Sequence, residues 1–324
     1  MLLIGGAANG WAVLADLVFY IFFAPQLAFM MERLMYAVNA KMEAAEAVKK
    51  LEAILKESPL PEPSPAGRKS PADSSISFDN VTFTYDGAAR PALMNVRFHL
   101  PQGAAYALVG PSGGGKSTIA RLIPRFFDVQ EGAVLVGGQD VRSIPAAELM
   151  EQISFVFQEV HLFKKSIRDN IRAARPNATE EEILQAAQLA QCGDILEKIP
   201  GGLDAVIGAK GVYLSGGEMQ RIALARAILK DAPIVVLDEA SSFADPENEV
   251  KIQKAFEVLM KGKTVLMIAH RLSTVRRMDR ILVVKKGVVV GEGKHDELIE
   301  KGGVYASMWE EYQSAAQWKV GGEE

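Results

Sequence analysis

The sequence predicts an α/β fold: parallel strands interrupted by a helical subdomain, preceded by one membrane-crossing helix and its cytoplasmic extension. Three observations predict it. From residue 76 onward, short apolar runs bounded by turn residues alternate with helical patterns, as strands covered on both faces do. A glycine-rich turn ending in Lys116-Ser117-Thr118 leads from one such run into a helix. Residues 13–31 read VLADLVFYIFFAPQLAFMM, close to the roughly 20 apolar residues that cross a bilayer core.

A signal peptide does not fit this run, because no basic segment precedes it and no small-residue cleavage site closes it. Arg33, Lys41, Lys49 and Lys50 follow it, which places its C-terminal side in the cytoplasm. Asp16 then falls near the outer end, where water is close. Residues 32–57 are strong helix formers with apolar residues at helical spacing, so they extend the span into the cytoplasm. Residues 58–73 hold five prolines and no periodicity and read as an extended linker. The second domain is expected over 74–318, with a tail at 319–324.

Within that domain, Ile76–Tyr85 and Leu93–Leu100 alternate apolar and polar residues, while Ala104–Val109, Ile234–Leu237, Val265–Ala269 and Ile281–Val284 are continuous apolar runs. Lys165–Asp231 reads as helical throughout, with Thr179 followed by three glutamates as a helix start. A net charge of −4 leaves no basic footprint for nucleic acid. Cys192 is the single cysteine, so no internal disulfide forms, and a lone thiol suits a reducing setting.

The run Ala104–Val109 opens onto Gly110-Pro111-Ser112-Gly113-Gly114-Gly115-Lys116-Ser117-Thr118, a G-x-x-x-x-G-K-[ST] phosphate cradle. Its glycines let backbone N–H groups turn toward phosphates, and the helix N-terminus adds partial positive charge. Lys116 is expected to reach the β- and γ-phosphates and Ser117 to ligate Mg²⁺. Ile234-Val235-Val236-Leu237-Asp238-Glu239 supplies the acidic partner. Asp238 would hold the metal, and Glu239 would polarise the attacking water as general base. Together these describe a P-loop NTPase.

Leu214-Ser215-Gly216-Gly217-Glu218-Met219-Gln220-Arg221 offers a second anion-binding helix start in the same chain. A serine N-cap with a glycine turn is the plainer alternative. One nucleotide does not need two cradles, however, and this octapeptide closely resembles the signature of ABC ATPases. The resemblance covers about residues 76–318. It implies a head-to-tail dimer of identical or related half-transporters, with ATP and Mg²⁺ sealed between one copy's Lys116 turn and the other's Ser215, Gly216 and Gly217.

The same resemblance assigns further roles. Tyr85 would stack on adenine, the reading favoured over a plain strand-face tyrosine. Gln158 would contact Mg²⁺ and water and couple to the membrane domain. Asp245 would communicate across the dimer, and His270 would sense the γ-phosphate and orient Glu239. Residues 1–57 resemble, more loosely, the last membrane helix of exporter-type half-transporters. Such proteins carry six membrane helices where this chain has room for one, as a fragment, an internal start or an upstream-truncated reading would. The implied location is the cell (inner or plasma) membrane, with the ATPase domain in the cytoplasm and a solute as cargo.

Two departures leave the direction of transport open. Ala209 stands where exporters usually carry a glutamate, and Ser242-Phe243-Ala244-Asp245 stands where Ser-Ala-Leu-Asp is commoner. Both are similar to a subgroup that includes siderophore importers built on the exporter fold. A soluble ABC ATPase acting on ribosomes or DNA is the other alternative, and the apolar run argues against it. A regulatory, non-hydrolysing module is countered by Glu239 and His270.

Overall fold

The computed structural model describes residues 10–208, 212–238, 246–269 and 272–320. Two compact units meet between Leu60 and Pro61. In the first, Gly10–Lys56 is one continuous helix that passes through Pro25. Among the described residues it is the one helix long and apolar enough to cross a membrane, and none of it is buried.

The second unit holds ten strands among its described residues: β1 (Ile76–Phe83), β2 (Leu93–Leu100), β3 (Ala105–Val109), β4 (Glu131–Val136), β5 (Gln139–Asp140), β6 (Ile153–Val156), β7 (Ile234–Asp238), β8 (Thr264–Ile268), β9 (Arg280–Lys285) and β10 (Val288–Gly293). They form two sheets. An antiparallel one runs β2-β1-β4-β5, and a second runs β10-β9-β3-β8-β7-β6. In the second sheet every neighbouring pair is parallel except the edge pair β10 and β9. Strands β7 and β8 are buried at every position, which explains their continuous apolar sequences. β2 alternates burial because one face meets the core and the other meets water.

One core lies between the sheets around the helix Lys116–Leu122, with Ile119, Leu122, Phe78 and Val136 in it. A second joins the other face of the parallel sheet to the helical subdomain, where Val235, Leu237 and Val265 meet Ile183, Ile222 and Leu224. That subdomain differs from the expected unbroken helical stretch. It holds four separate helices, Ile167–Arg172, Glu180–Leu189, Gly193–Lys198 and Gly216–Lys230, with a short 3₁₀ turn at Gly202–Asp204 between the last two and an isolated bridge joining Ser166 to Val206. Pro200 and the glycines at 201, 202 and 208, all three at positive φ, interrupt the helical pattern there.

Several strand ends also differ from the sequence pattern by a residue or two. β1 stops at Phe83, leaving Tyr85 beyond it, while β7 and β9 run on to Asp238 and Lys285. The Pro-rich stretch has no helix beyond a 3₁₀ turn at Pro65–Gly67, and from Pro61 it belongs to the second unit.

Candidate functional site

Parallel strands deliver their chain ends to one edge of a sheet, where ligands of open α/β folds bind. β3 ends at Val109, just before the glycine turn; β6 ends at Val156, two residues before Gln158; β7 ends on Asp238. The turn itself is shaped by tight packing. Gly110 has φ +143°, and a Cβ there would come 1.9 Å from the Val284 carbonyl oxygen. Gly115 has φ +106°, and its Cβ would come 2.8 Å from Leu93 Cδ2. No side chain fits either position, so the backbone lies close over β9 and β2. Pro111, Ser112 and Gly113 form the exposed crown, whereas Gly114 is buried at the base.

Lys116 is buried, and its ammonium donates to the Gly110 carbonyl at 2.8 Å and the Pro111 carbonyl at 3.0 Å. The turn is thus stitched together by the cation that a phosphate would recruit. Ser117 Oγ donates to Asp238 Oδ1 at 3.3 Å. The Tyr85 phenol donates to Thr118 Oγ1 at 3.2 Å, and its ring packs edge-on against Phe83 and Phe127. Direct contacts therefore join Tyr85 to Thr118 and Ser117 to Asp238, on one helix that opens with Lys116.

Asp238 is 3% exposed. Burial pushes its carboxyl above the usual range, against the opposing pull of Arg121, the Ser117 hydrogen bond and Lys116. A raised carboxyl pKa means that folding favours the protonated form. Its contribution is present below the unfolded pKa and is lost as pH rises through the folded one. Without nucleotide or metal, the buried Asp238 carboxyl therefore costs stability above its unfolded pKa. Asp238→Asn is expected to raise the unfolding midpoint under those conditions, and a lowered midpoint in thermal denaturation would contradict this sign.

Ser117 Oγ and the Asp238 carboxylate are hard oxygen donors standing side by side, a donor set suited to Mg²⁺ when substrate phosphates complete its shell. No group of three or more His, Cys, Asp or Glu able to hold a metal alone occurs among the described residues. Gln158, which is exposed, lines with Asp238 a cleft of about 760 Å³. Arg121, Arg226 and Lys230 line it too, and the sequence reading singled out none of them. For Arg121 a signal was present: it stands four residues after Ser117, on the same helix face.

Ser215 caps the helix Gly216–Lys230. Its Oγ accepts from the Glu218 amide at 3.2 Å, and Glu218 Oε2 accepts from the Ser215 amide at 2.7 Å. This is the reciprocal box that S-x-x-E predicts. Lys198 donates to Glu218 Oε1 at 3.0 Å. Burial alone would raise the Glu218 carboxyl, but the Ser215 amide and Lys198 outweigh it and hold it below the usual range. Ser215 and Gly216 are exposed and Gly217 is buried, so the capped tip faces outward. These contacts stay inside the helical subdomain and do not run to the Lys116 turn. On the same helix, Arg221 is 1% exposed and bonds Asp194 and the Gln191 carbonyl, while Lys251 from the helix Pro246–Met260 bonds Asp194 at 2.8 Å. Glu239, Asp245, His270 and Ala209 lie outside the described residues.

Comparison with known proteins adds three findings. The family described as ABC transporter matches residues 93–242. The ATP-dependent lipid A-core flippase of Escherichia coli K12 is 50% identical over 238 residues, which is 73% of this chain and 41% of the flippase; the flippase of Shigella flexneri matches to the same extent. The structure of a bacterial Atm1-family ABC exporter with ATP bound superimposes with a TM-score of 0.75 at 36% identity, over 84% of this chain and 47% of that one. The chain thus spans less than half the length of each of these relatives.

Proposed function

Since the chain carries an ATPase domain of the ABC transporter family, we propose that it binds and hydrolyses ATP with Mg²⁺ to power solute transport across the cell membrane. It does so paired head-to-tail with a second half-transporter, identical or related. The observation that carries this reading is the Ser117–Asp238 pair set directly against the Lys116 turn at the chain-end edge of the parallel sheet. Lys116 would exchange its two carbonyl bonds for β- and γ-phosphate oxygens. Ser117, Asp238 and Gln158 would hold the metal, which when bound neutralises developing phosphate charge. Tyr85 would offer its ring to adenine.

Glu239 would take the proton of the attacking water as the new O–P bond forms at the γ-phosphorus and the β–γ bridge breaks, releasing ADP and phosphate. His270 would orient Glu239. Ser215, Gly216 and Gly217 of the paired copy would close over the γ-phosphate, using helix N–H groups that the Glu218 box leaves aimed outward. The helix Gly10–Lys56 supports membrane placement, and the positive residues after its apolar half support a cytoplasmic ATPase domain. The similar solved structure is named an exporter, which favours outward movement. Ala209 and Ser242-Phe243-Ala244-Asp245, on which the importer alternative rests, lie outside the described residues.

A composite site makes hydrolysis depend on pairing. With the chain in detergent at concentrations well below pairing, doubling the chain is expected to raise the phosphate-release rate per chain about twofold, by mass action. A rate per chain independent of dilution, in a sample that remains monomeric, would refute the shared site.

A further inference from the structure

The helix that starts at Lys116 ends in an unusual way. The Phe126 amide donates to the Arg121 carbonyl at 3.2 Å and the Arg125 amide to the Leu122 carbonyl at 3.1 Å, the double bond of a Schellman motif. The residue after the cap in that motif is left-handed and is usually glycine. Here it is Arg125, at φ +56°. A side chain retained where glycine is easiest points to a task for that side chain.

Its task is visible in its partners. The Arg125 side chain is 5% exposed. Nε and Nη2 grip both oxygens of Asp128 at 2.7 and 3.0 Å, and Nη2 also donates to the Pro61 carbonyl at 2.8 Å. Asp128 fixes the guanidinium plane, and the guanidinium fixes Pro61. Beyond Pro61 the chain stays fastened. Glu62 accepts from the Ala146 amide at 3.4 Å, at a helix whose own N-cap, Pro145, supplies no side chain. The Lys69 amide donates to the Ser143 carbonyl at 3.0 Å and the Ala72 amide to the Gly137 carbonyl at 3.1 Å. Residues 61–73 are therefore a strap laid along the ATPase unit, with its first fastening at the far end of the helix that carries the phosphate turn.

The geometry points to Arg125 as a positioning residue that couples the strap to nucleotide occupancy. A helix of two turns is a stiff body, so a phosphate pulling on Lys116 at one end displaces Arg125 at the other. The strap is the covalent path from the ATPase unit toward the apolar helix, which gives the coupling a mechanical use. This rests on the nucleotide reading of the Lys116 turn. Coupling between two equilibria is reciprocal: if nucleotide tightens the strap by some factor, the closed strap tightens nucleotide by the same factor.

That reciprocity supplies the experiment, done on the full chain in detergent with ADP and Mg²⁺ as the probe. Arg125→Gly suits the left-handed backbone, so it removes the clamp without straining the helix end. In the unaltered chain, saturating MgADP is expected to slow amide exchange at Lys69 and Ala72 by a factor on the order of 5 to 10. In Arg125→Gly both amides are expected to exchange fast with or without nucleotide. Its MgADP dissociation constant is expected to rise by the factor measured as slowing in the unaltered chain. Arg125→Lys, which cannot grip both carboxylate oxygens in a plane, is expected to fall between. Exchange in the unaltered chain that ignores MgADP overturns the coupling, as does unchanged affinity in Arg125→Gly with the strap released. A failure of the unaltered chain to bind MgADP would instead overturn the nucleotide reading itself, and the coupling with it.

Discussion

Lys116→Ala is expected to abolish nucleotide-dependent stabilisation and to cut hydrolysis by a factor on the order of 10²–10³, the loss that follows removal of one preorganised charge donor at a reacting oxyanion. Two consequences of the side chain are separable. Without nucleotide, the ammonium bonds the Gly110 and Pro111 carbonyls, and losing these bonds costs about 1 kcal/mol each. With nucleotide, the same ammonium would neutralise phosphate charge in a buried position, where charge interactions are strong. A chain holding ligand at about 100 times its dissociation constant gains about 2.7 kcal/mol of stability. Unfolding measured with and without MgATP therefore distinguishes the two. The variant should start slightly less stable and gain almost nothing from nucleotide. An undiminished gain would remove Lys116 from the phosphate site.

What the sequence displays and what it hides follow from range. The parallel strands are legible because burial on both faces writes itself as continuous apolar runs, so β3, β7 and β8 fall within about a residue of expectation. β4 is hidden. It begins with Glu131 and Gly132, and Gly132 at φ +80° crowds the bulge where Asn80 turns left-handed. β6 and β10 are hidden for related reasons: one has four residues, and the other is an edge strand whose positions are mostly half-buried.

Among candidate site residues, the glycine turn before Lys116 and the Ser215 box are local in sequence and could be read residue by residue. Among the cleft cations, Arg226 and Lys230 depend on pairings across the chain, with Asn170 and Met150, and so does the Arg125 clamp, whose partner Pro61 is 64 residues away. Spacing patterns do not register such pairs, and proline content alone reads as a loose connector. The Arg125 contact shows that a Pro-rich segment can be held in place by its carbonyls, which proline retains although it lacks the N–H.

Glu239→Gln is expected to separate binding from chemistry more sharply than any other single change. Glutamine keeps the size of the side chain and its capacity to hydrogen-bond water, but it cannot accept the proton that leaves as water attacks. Loss of a general base costs on the order of 10²–10⁴ in rate, so turnover should fall to near background. Asp238, its neighbour on β7, is already occupied with Ser117 and is buried, so it is poorly placed to take over. Binding should survive, because Lys116, the glycine turn and Ser117 are untouched. The two-copy complex would then form with ATP and lack its route to release. Light scattering of Glu239→Gln with MgATP should report a stable dimer that disperses when nucleotide is removed. Phosphate release within a few-fold of the unaltered chain would exclude Glu239 as the base. A non-hydrolysing variant that stays monomeric with ATP bound would leave Glu239 its chemistry but would sever the Ser215 tip from the site it is proposed to close.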